Sequence, residues 1–362
     1  MSGAAEPPAG QGRAPGGYAA AGVDVAAGEL AVELMRGAVA RSHRPEVVGG
    51  IGGFAGLFDA SKIAGMRRPL LATSTDGVGT KVVIASQLGV YGTVGIDLVA
   101  MVADDLVACG AEPLFLTDYV VCGALTPERV AVIVGGVAEG CVLAGCALLG
   151  GETAEHPGHL GPDDFDLAGA ATGVVEEDRL LGAGRVRAGD VVLALASSGL
   201  HSNGFSLVRR IVADPASGLR LDAQPPELDR LLGAELLEPT RVYARDCLAL
   251  ADSCELHALA HITGGGLAAN LARVLPADAD AVIDRSAWRP QPVFGMLAGR
   301  GGVPPAEMEA VFNMGVGMAA IVSPADADRA VRLLAGRQVP ARAVGEIVPG
   351  SGRARLGGRH PA

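Results

Sequence analysis

At 362 residues and a formal net charge of −11, the chain is long enough for two domains and too acidic for nonspecific nucleic-acid binding, which needs clustered lysine and arginine to displace counterions. Apolar residues make up 49% of it and mean hydropathy is +0.35, yet no unbroken apolar run approaches the ~20 residues of a bilayer span, so no membrane partner is expected. Six cysteines with no CxxC spacing argue for reduced thiols rather than a zinc site or disulfide framework, and the start lacks a secretory signal, so the expected compartment is the cytoplasm.

Residues 1–17, "MSGAAEPPAGQGRAPGG", read as a disordered tail. "DVAAGELAVELMRGAVARS" then has helical spacing, with Leu30, Leu34 and Ala38 on one face. The loop "HRPEVVGGIGGFAG" contains a near dinucleotide fingerprint, Gly50-x-Gly52-x-x-Ala55, but lacks the strand before it and the helix after it. As bare backbone it suits folding over a triphosphate, through Gly52 and Gly53 with Lys62 assisting.

Strands are expected at Pro69–Ser74, Pro113–Cys122 and Phe165–Val175, and helices over about Gly95–Gly110 and from Thr126–Pro127 onward. The latter helix carries a stripe of Val130, Ile133, Val134, Val137 and Cys141. A hydrophilic turn and a new strand at Val191–Ala196 place a boundary near residue 185, giving domains 18–185 and 186–349 and a second disordered tail at 350–362. The second domain shows helices near Asn203–Ala213, Thr240–Ala251, Gly266–Leu275 and Ala325–Gly336. Its further strands lie near Ala281–Asp284, Gly315–Val322 and Ala343–Val348, so both domains read as α/β.

The densest chemistry is in "TSTDGVGTK". A turn at the C-terminal edge of a strand would present Asp76, the backbone around Gly77 and Gly79, the Thr80 hydroxyl and the Lys81 ammonium together. Those are the parts a Mg²⁺-polyphosphate requires: a hard oxygen ligand, donors for phosphate oxygens and a mobile positive charge. The Walker A pattern is absent. Of the 29 basic residues only Lys62 and Lys81 are lysines, which makes each surviving lysine worth suspecting.

Downstream, "GIDLVAMVADDLVACGAEP" puts Asp97 and Asp104 nearly eclipsed on an apolar helix, with Asp105 about 80° round from Asp97. Unpaired carboxylates there are costly, and a divalent metal shared with Asp76 is the simplest offsetting cation. "CALLGGETAEHPG" reads as a strand or helix end opening on a Gly150–Gly151 turn, with Glu152 and Thr153 suited to nucleotide ribose or metal-bound water; a plain polar turn fits that stretch equally. In "SSGLHSNGFSLVRRI" a strand ends in a turn where Ser202 or Asn203 caps the next helix and His201 can donate to phosphate or move a proton. "HITGGGL" repeats the device with Thr263, Gly264 and Gly265.

Together with "AGVDVAAG", "GIDLVAM", "GAEPLF", "GGETAEHPG" and "FNMGVGM", these stretches closely resemble the phosphoribosylformylglycinamidine cyclo-ligases, the aminoimidazole ribonucleotide synthetases of purine biosynthesis, from about Tyr18 to Val348. The resemblance implies first domains that pair into a central β-barrel flanked by helices in a homodimer, and a flanking α/β second domain. It implies ATP and Mg²⁺ as cofactors and formylglycinamidine ribonucleotide as small-molecule substrate. ATP phosphorylates the formyl oxygen, the amidine nitrogen attacks, and ADP and phosphate leave.

Carried onto this sequence, the resemblance makes Lys81, His201 and Asp105 the candidate catalytic residues and Asp76, Asp105 and Asp97 the candidate metal ligands. Gly52, Gly53, Asp76, Gly77, Gly79, Thr80, Lys81, Glu152 and Thr153 would hold ATP. His201, Ser202, Asn203, Thr263, Gly264 and Gly265 would hold the substrate. The family commonly has asparagine at the position of Asp104. Related ATP-using enzymes such as selenophosphate synthetase and thiamine-monophosphate kinase are the alternative, as is a non-catalytic nucleotide-binding regulator.

Overall fold

The computed structural model describes residues 24–50 and 52–361. The first expected tail and the start of the first domain fall on residues 1–23, outside the described residues.

In chain order the first half comprises helix α1 (Val25–Ser42), short strands β1 (Val47–Val48) and β2 (Leu57–Phe58), α2 (Ser61–Ala64), β3 (Pro69–Gly77), α3 (Lys81–Leu88), α4 (Gly92–Ala108), β4 (Glu112–Cys122), α5 (Pro127–Ala144), β5 (Ala147–Glu155) and β6 (Phe165–Glu176). The second half adds β7 (Val191–Ala196), α6 (Phe205–Ala213), α7 (Leu232–Leu236), α8 (Ala244–Ser253), β8 (Leu256–His261), α9 (Gly266–Ala272), β9 (Ala279–Asp284), α10 (Pro292–Gly301), α11 (Pro305–Val311), β10 (Val316–Val322), α12 (Ala327–Gly336), β11 (Ala341–Pro349) and β12 (Ala354–Gly357).

The first sheet has the order β3-β6-β4-β5, antiparallel except for the β4–β5 pair. Along β4, Leu116, Asp118, Val120 and Cys122 are buried while Thr117 and Tyr119 are exposed, the alternation of a strand with one face covered. Helices α1, α4 and α5 supply the cover. A Cβ on Gly95 would lie 2.2 Å from the Val137 nitrogen, and one on Gly136 would lie 2.0 Å from the Gly92 oxygen. Glycine therefore sets how closely α4 and α5 cross, and the predicted stripe from Val130 to Cys141 is buried beneath them.

The second sheet, β12-β9-β11-β7-β10-β8, is antiparallel except for the β12–β9 pair. Its strand β10 is buried along its whole length. Strands β10 and β8 pair through Met318 and His261, which brings the end of β8 to the first domain.

Four sequence expectations change. On α1 the buried face is Ala31, Met35 and Val39, while Leu30 and Leu34 are exposed. Two adjacent apolar stripes share the required spacing, and packing on α5 selects the other one. Gly150 and Gly151 form no turn: β5 runs through them opposite Thr117 and Asp118.

Neither Ser202 nor Asn203 caps α6, whose N-cap is Gly204 in the left-handed region. Finally, Ala354–Gly357 is a strand rather than disordered tail. Ala354 and Leu356 pack on the core, and the Asp280 carboxylate accepts the Ser351 and Arg353 backbone N–H groups. The basic composition of the segment hides a short alternation whose value depends on the free edge of β9.

Candidate active site

The centre of the site is a contact between α4 of the first half and β8 of the second sheet. Asp105, half exposed at the end of α4, accepts a hydrogen bond from Nδ1 of His261 at 2.9 Å. The Ser74 hydroxyl donates to the other Asp105 oxygen at 3.4 Å. Burial alone would disfavour a charged His261 imidazole. The Asp105 hydrogen bond and the charges of Asp104, Asp105 and Asp76 outweigh it and raise its pKa. The His261 Nε2 is buried without a partner among the described residues. Ser74, Asp105 and His261 line a cleft of about 440 Å³ between the domains, with Asn270 and Arg273 on its far wall.

Asp76, at the end of β3, uses one oxygen to accept the Gly77 N–H at 2.7 Å. Gly79 is left-handed, as a turn into α3 requires. The Thr80 hydroxyl meets that of Ser206 at 3.2 Å, a second link between the domains. Asp104 points the other way from Asp105. It is fully buried, takes the Tyr243 N–H at 2.9 Å, and burial pushes its carboxyl up to about 7.

His201 stands in a turn that the structure over-determines. Its φ is 63°, the left-handed region that a residue other than glycine rarely adopts. Asn313 donates to the Gly199 and Leu200 carbonyls and accepts from the Ser197 hydroxyl and the Gly315 N–H, bracing the segment that leads into it. The Ser198 N–H donates to His201 Nε2 at 3.2 Å.

A backbone N–H can only donate, so Nε2 is the acceptor and Nδ1 carries the proton. That Nδ1–H is buried with no partner among the described residues. Burial, then the nearby His261, Lys81 and Arg241 charges, hold the imidazole pKa well below its usual value, so it is a neutral donor. Ser202 is buried beside the Thr240 hydroxyl. Thr263, Gly264 and Gly265 form the turn into α9, where the Asn270 amide holds the Thr263 and Gly264 carbonyls. Asn203 lies alongside Gly264.

Two expectations fail on geometry. Lys81 is fully buried, and its ammonium is spent on Asp97 at 2.8 Å and on the carbonyls of His201 and Glu238 at 3.2 and 2.7 Å. It has no donor left for phosphate. Asp97, equally buried, also accepts the Thr240 N–H and hydroxyl. The cation offsetting its desolvation is Lys81, not a metal.

The remaining candidates lie elsewhere. Glu152 and Thr153 are on β5, at the opposite edge of the sheet from Asp76. The row Asp76, Gly169, Asp118, Gly151 crosses all four strands, so the two edges are about 14 Å apart at the usual strand spacing. The loop of Gly52 and Gly53 ends at Gly56, whose Cα lies against the Leu149 backbone, on the Glu152 side. Lys62 pairs with Glu46 instead of facing this edge.

Sequence reasoning missed His261 and Asp118. His261 adjoins the Thr263 turn and was legible as a histidine ending an apolar run. Asp118 is a lone acid within the apolar strand "PLFLTDYVVC". It is buried, its Oδ2 has no partner among the described residues, and burial pushes its carboxyl up to about 7. It lines a cavity of about 280 Å³ walled by Val32, Met35, Val134 and Leu148, with Glu152 and Thr153 also on its lining.

Comparison with known proteins locates this architecture. The model of the AIR synthase related protein N-terminal domain matches residues 59–175, and that of the C-terminal domain matches residues 187–356. The phosphoribosylformylglycinamidine cyclo-ligase of Geobacillus kaustophilus (strain HTA426) is 50% identical over 341 residues, covering 94% of this chain and 98% of the relative. That of Myxococcus xanthus (strain DK1622) is 48% identical over 337 residues, covering 93% and 97%.

The chain belongs to the phosphoribosylformylglycinamidine cyclo-ligase family.

The family is one of ATP-dependent ligases in purine biosynthesis. Its fold is shared more widely. Thiamine-monophosphate kinase from Stenotrophomonas maltophilia K279a superposes with a TM-score of 0.64 at 20% identity, over 91% of this chain and 96% of that one. A hydrogenase maturation protein HypE in complex with ATP gives 0.58 at 18% identity, over 92% of each chain. No helix among the described residues is long and apolar enough to cross a membrane.

Proposed function

We propose that the interdomain cleft at Asp76, Asp105, His261 and the His201 turn is where ATP activates formylglycinamidine ribonucleotide for ring closure to aminoimidazole ribonucleotide. The observation that carries this reading is the Asp105–His261 contact. It joins an acid of the first domain to a base of the second beside a further hard oxygen ligand, Asp76.

Phosphoryl transfer demands positioning and charge stabilisation more than covalent chemistry. Asp76 and Asp105 would hold Mg²⁺. No group of three or more His, Cys, Asp or Glu is arranged to cage a metal among the described residues, and Mg²⁺ accepts one or two carboxylates with waters and substrate phosphates. Bound there, Mg²⁺ would neutralise charge on the phosphates. His261 adds an imidazole held in place by Asp105, and the His201 Nδ1–H donates to a substrate or phosphate oxygen.

The Asp118 cavity suits the nucleobase: apolar walls for its faces and a carboxylic acid, one donor and one acceptor, for its edge. Because Glu152 and Asp76 lie at opposite edges of one sheet, a homodimer completes the site. Closing the open sheet face, where Leu71 and Tyr119 are exposed, brings the β5 edge of one copy to the β3 edge of its partner. The domains divide near residue 185, and free thiols at all six cysteines suit a cytoplasmic setting.

The test is ADP release from Mg²⁺-ATP with and without formylglycinamidine ribonucleotide. Substrate-dependent ADP matched by aminoimidazole ribonucleotide is the expected result; nucleotide binding without turnover would overturn the reading.

A further inference from the structure

Lys81 is the first residue of α3, and its ammonium joins four segments that are distant in sequence. It meets Asp97 on α4, the His201 carbonyl in the turn before α6, and the Glu238 carbonyl in the segment before α8. Asp97 in turn holds Thr240 by both its N–H at 2.7 Å and its hydroxyl at 2.6 Å. The Phe205 ring lies 5.5 Å from the ammonium, closing the side toward α6. An ammonium has three N–H donors in a tetrahedral array, and three acceptors on three elements use them all. A guanidinium is a wide planar fork that does not fit a compact three-way junction, which accounts for a lysine in a chain whose other bases, apart from Lys62, are arginines.

The decisive detail is which carbonyl is held. His201 is non-glycine with a φ of 63°, a conformation that persists only where the surroundings enforce it. Lys81 grips the carbonyl of that residue from the opposite domain.

We propose that Lys81 is a positioning residue, whose ammonium, locked by Asp97, fixes the His201 backbone across the domain junction and so aims the His201 imidazole at the substrate. This deepens the cyclo-ligase reading and rests on its placement of His201. Lys81 acts on the ribonucleotide half of the reaction and not on the nucleotide phosphates.

The test compares wild type with Lys81→Met and with the paired variant Lys81→Met/Asp97→Leu. The single variant leaves Asp97 buried without its cation and is prone to misfolding. The paired variant removes both buried charges together, and its Tm beside that of wild type separates aim from stability. For folded paired variant, kcat/KM for formylglycinamidine ribonucleotide should fall on the order of 100-fold, while the Kd for Mg²⁺-ATP stays within about threefold of wild type. The His201 imidazole NMR signal should shift and broaden relative to that of wild type.

A large rise in the ATP Kd would overturn the proposal in favour of a phosphate contact. Retention of kcat/KM with an unmoved His201 signal would overturn it in favour of a purely structural pair. Wild-type turnover reports separately on the cyclo-ligase reading, because the NMR comparison needs no activity.

Discussion

Replacing Asp118 with asparagine isolates the cost of a buried acid. The side chain is 8% exposed, its Oδ2 has no partner among the described residues, and its Oδ1 occupies the space where a Cβ on Gly151 would stand. Burial moves its carboxyl from the ordinary 3.8 up to about 7. A displacement of that size corresponds to roughly 4 kcal/mol at most, since relaxation around an ionised carboxylate reduces the penalty.

The sign follows from proton counting. Between about pH 4 and 7 the native state holds a proton that the unfolded chain has released, so stability falls as pH rises through that window and the loss is complete above about 7. The amide of the variant cannot ionise. In calorimetry from pH 4.5 to 8.5 without nucleotide, D118N should therefore match wild type at the acid end and melt several degrees higher at the alkaline end. The same variant should bind ATP about as well as wild type, because an amide, like a carboxylic acid, offers the base edge one donor and one acceptor. Parallel melting curves across the whole range would refute the reasoning, since they would mean that the carboxyl is solvated or paired at every pH.

Two further outcomes follow from the geometry around the histidines. His261→Asn should cost kcat on the order of 100-fold in steady-state assays with little change in Tm, because it removes the imidazole held against Asp105; an unchanged kcat would exclude His261 from the chemistry. Gly317→Ala would place a Cβ 2.1 Å from the Tyr243 hydroxyl and 2.5 Å from Cε1 of His201. It should lower Tm by several degrees and displace the His201 ring, which a crystal structure of the variant together with its kcat/KM for the ribonucleotide would reveal.

Much of this molecule was legible along the chain. Apolar or β-branched runs bounded by Gly, Pro or Asp marked β3, β4 and β6, a fresh apolar run after a hydrophilic turn marked β7, and the spacing of Val130, Ile133, Val134, Val137 and Cys141 marked the buried stripe of α5. Order along the sequence also identified the family, since the motif stretches recur in one unbroken succession.

What sequence could not decide were partnerships across space. Lys81 beside Asp76 in "TDGVGTK" looks like phosphate chemistry, yet Lys81 opens α3 and turns its ammonium inward to Asp97 while Asp76 stays at the strand edge. Asp104 and Asp105 are neighbours on α4, but about 100° of helical rotation sends one into the core at Tyr243 and the other to His261. Local pattern sets which residues share an element and a face. Whether a buried charge meets a metal, a lysine or a proton depends on what the rest of the chain brings opposite it, and only the tertiary structure decides that.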